Sequence, residues 1–131
     1  MACPYFYPTE RHEAELWPHR RRLPLGDGFR GLCTIGKVEP GDERLRDGCN
    51  LGYARQCPNL PAGRMADAVR FGLTLLDDRI DVTYVLERNH CPGETGVLQY
   101  DPTAKVWSIS HPNRCIQRMA ECLVKAISNK Q

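Results

Sequence analysis

Proline and glycine are crowded into one half of this chain, and that distribution decides where long secondary structure can form. Seven of the ten prolines and eight of the eleven glycines lie in residues 1–63. Proline removes a backbone donor and fixes φ, and glycine spends extra entropy in any regular element. Residues 1–63 therefore read as loop-rich, and residues 64–131 as the half that carries regular structure. Charge does not separate the halves, since each holds nine basic and eight acidic residues. With 131 residues, 41% hydrophobic and 26% charged, the chain reads as one soluble globular domain, 1–131.

The second half is strongly patterned. Val69, Phe71, Leu73 and Leu75 alternate with Arg70, Gly72 and Thr74, the period of a half-buried strand. Asp77-Asp78 marks a turn, and Ile80, Val82, Tyr84 and Leu86 repeat the alternation. Asn89-His90-Cys91-Pro92-Gly93 reads as a loop, Gly96 to Tyr100 as a third strand, Asp101-Pro102-Thr103 as a turn and Lys105 to Ser110 as a fourth strand. Short connections make neighbours antiparallel. Beyond Ser110 or Asn113, either of which can cap a helix, Ile116, Met119, Ala120, Leu123, Val124 and Ile127 form one apolar stripe. Gln117, Arg118, Glu121 and Lys125 face the other way, toward water. The expected fold class is α+β: a four-stranded antiparallel meander with a C-terminal amphipathic helix, preceded by a loop-rich, cysteine-containing N-terminal half.

The first half offers no comparable core by the same reading. Glu10 to Trp17 suggests a short helix limited by Pro18. About sixty loop-rich residues are more than a compact domain holds without a staple. Four of the seven cysteines, Cys3, Cys33, Cys49 and Cys57, lie here and are the candidates for it.

Several features point these thiols toward metal chemistry. Seven cysteines are an odd number, which leaves one unpaired in any disulfide scheme. The N-terminus has neither the basic nor the apolar region of a secretory signal, so a reducing, cytoplasmic compartment is expected, where thiols stay free or bind metal. Cys3 and Cys57 are followed by proline, as is Cys91, while Gly31 and Gly36 flank Cys33 and Gly48 and Gly52 flank Cys49. Glycine lets backbone N–H groups approach a cluster closely. The sulfurs are separated by 29, 15 and 7 residues, with no C-x-x-C pair, and structural zinc sites usually come as paired knuckles. The aromatic and apolar neighbours Tyr5, Phe6, Tyr7, Leu32, Ile35, Leu51, Tyr53 and Leu60 are expected to shield the sulfurs.

The first expectation is therefore a small iron–sulfur protein that binds one cluster, [4Fe–4S], through Cys3, Cys33, Cys49 and Cys57. Cys91 could serve as a fifth ligand or stand in for Cys3, although an idle exposed thiol is the plainer reading of it. The role would be electron transfer or redox or iron sensing. A fully Cys-ligated cluster leaves no iron open to substrate, so catalysis is not expected. A redox protein is the expected partner; the net charge of +2 does not call for nucleic acid, and no membrane span is visible. Two alternatives stay open: a structural zinc-binding interaction module, and a thiol/disulfide redox protein. An enzyme with Cys91 as nucleophile beside His90 or His111 has the least support. Cys115 and Cys122, seven apart, share a helical face and read as buried small hydrophobes. His111 and Cys115 could ligate together, but a capping role suits His111 better. The remaining histidines read as structural, and His19-Arg20-Arg21-Arg22 as a solvated basic run.

Overall fold

The structure, a computed structural model, describes residues 1–13, 17, 19–50, 57, 61 and 63–128, and the side chains of these except Arg21. Its elements are β1 (Phe6–Arg11), a 3₁₀ turn (Arg20–Arg22), β2 (Phe29–Cys33), α1 (Asp42–Arg44) running into a π-helical turn (Leu45–Asn50), β3 (Ala68–Leu75), β4 (Ile80–Arg88), β5 (Cys91–Asp101), β6 (Val106–Ile109) and α2 (Arg114–Ser128).

β3 to β6 form a four-stranded antiparallel meander in sequence order. The alternating residues meet in register: Val69 opposite Leu86, Phe71 opposite Tyr84, Leu73 opposite Val82 and Leu75 opposite Ile80. Such cross-strand pairs are the unit of sheet stability. Tyr84 lies opposite Gly96 on β5, where a Cβ would stand 2.8 Å from the phenol oxygen, so glycine makes room for the ring.

The loop expected at Asn89–Gly93 is shorter than the sequence suggested. Asn89 and His90 both have positive φ, 53° and 63°, and Arg88 pairs with Cys91, which is a two-residue hairpin of type I′. β5 therefore starts at Cys91. Pro92 is accommodated because β6 pairs only with Gln99–Asp101, leaving the first part of β5 as an edge where a missing N–H costs little.

The first half is also more regular than expected. β1 and β2 form an antiparallel ribbon, whose inward positions are Phe6 and Pro8 on one strand and Phe29 and Gly31 on the other. Proline and glycine at inward strand positions are what made the segment read as loop. Gly31 is required there, since a Cβ would stand 2.1 Å from the Tyr7 carbonyl oxygen. Nor do Glu10 and Arg11 start a helix: they end β1, opposite Arg30 and Phe29, because strand pairing outweighs local helix propensity. His12, Glu13 and Trp17 are not helical either, and Ala14, Glu15 and Leu16 lie outside the described residues.

α2 is the wall shared by both layers. Ala120, Leu123 and Val124 pack on Ile80, Val82 and Leu98 of the meander. Ile116, Met119 and Cys122 join a second cluster with Ala2, Phe6, Leu25, Phe29, Leu45 and Cys49 from the first half, and with Val69 and Leu86. The first half thus owns much of one core, contrary to its loop-like composition. Arg118 is only half-buried, yet its Nε and Nη2 donate to the Pro8 and Thr9 carbonyls at 2.8 and 2.9 Å. Those carbonyls sit on an edge strand and need donors. The N-terminus is fixed by a reciprocal bridge, with Ala2 N–H donating to Val69 and Val69 N–H to Ala2 at 3.0 and 2.8 Å. That bridge sets the position of Cys3.

Candidate functional site

Cys3 opens a tight turn in which Phe6 N–H donates to the Cys3 carbonyl at 3.1 Å. Pro4 supplies the preset φ at the second position of that turn. Cys33 is the last residue of β2, opposite Phe6, and its N–H donates to Val38 at 2.9 Å. Thr34 ties this strand end to the first turn, since its N–H and hydroxyl both donate to the Tyr5 carbonyl, at 3.0 and 2.7 Å. Cys49 is buried in the π-helical turn, and its carbonyl accepts the Cys3 N–H at 3.1 Å. Single π turns are rare and often mark functional sites.

The turn holding Cys49 is anchored by its neighbour. Asn50 is fully buried; its Oδ1 accepts from Phe29 N–H at 3.0 Å, and its Nδ2 donates to the Phe29 and Leu45 carbonyls at 2.8 and 2.9 Å. Among the described residues, no buried side-chain nitrogen or oxygen lacks a partner. Asn50→Leu would leave three buried backbone groups unpaired at about 1–3 kcal/mol each. The expected outcome is a loss of roughly 3 kcal/mol or more in chemical unfolding.

Burial dominates the titration of Cys3 and Cys49. Burial pushes the Cys3 thiol up to about 12; the backbone hydrogen bond at Tyr5 partly offsets this, and charge on Cys33, Cys57 and Cys115 adds to it. The Cys49 thiol is also pushed up to about 12, by burial and then by Cys3, Cys33 and Cys57, with Arg44 opposing. Cys57 is partly exposed; residues 51–56 and 58–60 around it lie outside the described residues, and with them Leu51, Gly52, Tyr53 and Leu60. Among the described residues, no three His, Cys, Asp or Glu side chains are gathered tightly enough to hold a single metal ion.

Cys115 is buried in the core, as its place on the α2 face suggested. It is the second residue of α2, and its Sγ lies 3.9 Å from the Thr34 hydroxyl. Its thiol is raised by burial and then by Cys33, with Thr34 and Arg114 opposing. The sequence signal was Asn113, whose Oδ1 accepts from Cys115 N–H and Ile116 N–H at 2.9 and 3.2 Å. A cap at that position puts residue 115 in the first helical turn. Cys91 is exposed at the start of β5, and Cys122 is a buried core thiol pushed up to about 11 by burial.

The expected shield is only partly in place. Phe6 is buried and Tyr7 packs against the same core, but Leu32 and Ile35 are 47% and 36% exposed. Leu32 leaves the core because the buried positions of β2 are the alternate ones, Phe29 and Gly31, and Ile35 lies in the turn beyond the strand. Other polar residues are used by the fold. His12 Nδ1 accepts from Trp17 Nε1–H at 3.1 Å and Nε2 bonds Asp42 at 3.2 Å. Arg20 is not part of a solvated run, since it donates to Asp27 and to the His12 carbonyl, both at 2.7 Å. His111 Nδ1 accepts the Asn113 N–H at 2.9 Å, and Nε2 meets Glu94 at 2.9 Å.

The raised thiols fix the pH dependence. A thiol whose folded pKa lies above its unfolded value near 9.0 stabilises the fold below that value and loses its contribution as pH climbs toward about 12. The metal-free protein should therefore have a lower urea midpoint at about pH 10 than at about pH 7. Metal must displace these protons, so uptake should strengthen as pH rises and release protons, measurable by titration in weak buffer. Compared with known protein families, curated proteins and solved structures, the chain matches none of them.

Proposed function

We propose that this protein binds one iron–sulfur cluster, of the [4Fe–4S] type, through Cys3, Cys33, Cys49 and Cys57, and works in electron transfer or in sensing redox state or iron. The observation that carries this reading is that three of the cysteine-bearing segments, a turn, a strand end and a π turn, are tied together by their backbones: Cys3 N–H donates to the Cys49 carbonyl, and Phe6, which donates to the Cys3 carbonyl, lies opposite Cys33. A donor set of thiols alone suits iron–sulfur chemistry.

When bound, such a group supplies one-electron reduction and oxidation. Cys49 and Phe6 would close its inner side, and burial there excludes water. Cys33 is partly exposed beside Leu32, Ile35 and Val38, an apolar rim at which a redox partner would dock. Among the described residues, no helix is long and apolar enough to cross a membrane; a reducing, cytoplasmic compartment is part of the proposal because thiols stay free or metal-bound there.

Reduction of anaerobically prepared protein by dithionite, followed by visible absorption and electron paramagnetic resonance, tests the proposal. Reversible bleaching and a paramagnetic signal on reduction are expected. A colourless protein that holds zinc would make this a structural interaction module. A colourless, metal-free protein whose mobility changes on reduction would make it a thiol/disulfide protein.

A further inference from the structure

We propose that the open edge of β3 pairs with β3 of a second copy of this chain, joining two meanders across a two-fold axis. The proposal stands apart from the thiols and from any metal.

One bridge fixes where the backbone groups of β3 point. Val69 N–H and carbonyl both bond Ala2, so they face away from β4. Along an antiparallel strand the bonding side alternates residue by residue. Phe71, Leu73 and Leu75 therefore turn their N–H and carbonyl groups to the same outer side, and Arg70, Gly72 and Thr74 turn theirs to β4. Among the described residues, no backbone group bonds Phe71, Leu73 or Leu75 on that side. Exposed edges are normally blunted by charge, proline, a bulge or a cover, and the other edges of this fold are. Arg118 caps the Pro8 and Thr9 carbonyls on β1, which is also bulged. On β2, Asn50 satisfies Phe29 and the Val38 carbonyl accepts the Cys33 N–H. β5 opens on Cys91-Pro92, and β6 is four residues long against an irregular register. Residues 71–76 carry no charge, no proline and no register shift, and Leu75 and Leu76 are 55% and 42% exposed.

The edge is complementary to itself. A two-fold axis through Leu73 sets Leu73 against Leu73 of the second copy, and Phe71 against its Leu75. Every open N–H and carbonyl then meets another, and apolar side chains meet apolar ones on one face of the joined sheet. That face is the one α2 covers, since Phe71 and Leu73 pack against the cluster formed by α2 and the meander. The length fits as well. The β3–β4 turn, closed by Leu76 N–H donating to the Arg79 carbonyl at 2.9 Å, carries the second copy's chain away where Ala2 already occupies Val69. Charge completes the match. The turn bears exposed Asp77 and Asp78, and it falls beside exposed Arg70 of the first copy, which bonds Glu87 at 3.2 Å. Symmetry repeats this acid–base contact at both ends of the paired strands.

Analytical ultracentrifugation over a concentration series, with reductant present so that disulfides contribute nothing, tests the proposal on wild type, Leu73→Lys, Leu75→Lys and Val106→Lys. Circular dichroism monitors the fold of each. Leu73→Lys sets two like charges face to face on the axis. Leu75→Lys changes an exposed position and leaves the core alone, so it decides the matter if Leu73→Lys fails to fold. Val106 is exposed on β6, the opposite edge, and its variant is the control. Wild type and Val106→Lys should reach twice the chain mass as concentration rises, while both leucine variants stay at the chain mass. In wild type, hydrogen exchange at the Leu73 and Leu75 amides should slow with concentration, and exchange at Gly72 and Thr74, bonded within the sheet, should not change. A wild type that stays monomeric throughout overturns the proposal. So does a dimer that survives in folded Leu75→Lys, or one that is lost only in Val106→Lys.

Discussion

Cys49→Ser is expected to empty the site of iron and sulfide while leaving the chain folded. Cys49 is the most enclosed of the four proposed ligands, at 7% exposure, and it couples to each of the other three. Serine is nearly the same size, but its hard, weakly acidic hydroxyl does not replace a soft thiolate. The fold should tolerate the change: what Cys49 gives its neighbours is a backbone carbonyl, which accepts the Cys3 N–H, and the turn is held by the Asn50 side chain. Iron and sulfide per chain, measured with far-UV circular dichroism on the same sample, checks both halves of the expectation. A folded variant with wild-type iron content would remove Cys49 from the ligand set.

The second large effect is on stability. Phe6→Ala should cost about 3–5 kcal/mol, the range for deleting a buried aromatic side chain. Phe6 is 1% exposed and packs in the cluster where β1, β2, the π turn and α2 meet. It also positions the thiols on either side, since its N–H holds the Cys3 carbonyl and its Cα lies opposite Cys33. The expected fall in melting temperature is roughly 10–20 °C for a domain of this size, with weakened iron retention. Val97→Ala, on a residue 43% exposed, should change stability by less than about 0.5 kcal/mol. Calorimetry of the two variants makes the comparison.

The meander and α2 were legible because their residues answer to simple periods. Val69 to Leu75 and Ile80 to Leu86 alternate strictly, and their apolar residues pair face to face. The β1–β2 ribbon was hidden by the residues that make it possible. Pro8 and Gly31 fill inward positions opposite each other, and both count as loop signals in a sequence. The hairpin at Asn89-His90 lacks the glycine that usually marks a type I′ turn, so Cys91 was placed in a loop rather than on a strand. Cys3, Cys33 and Cys49 could be suspected from the prolines and glycines around them. Their meeting depends on Cys3 N–H to Cys49 and Thr34 to Tyr5, bonds between distant segments that no local pattern encodes. Cys115 and Cys122 are buried in the core, as their shared face on α2 suggested.

The most direct test of the account is iron, zinc and acid-labile sulfide per chain in protein purified without oxygen. The account predicts a brown protein with iron and sulfide in equal amounts, about four of each, and no stoichiometric zinc. About one zinc per chain with no sulfide, or a protein that remains colourless and metal-free after reconstitution, would contradict it.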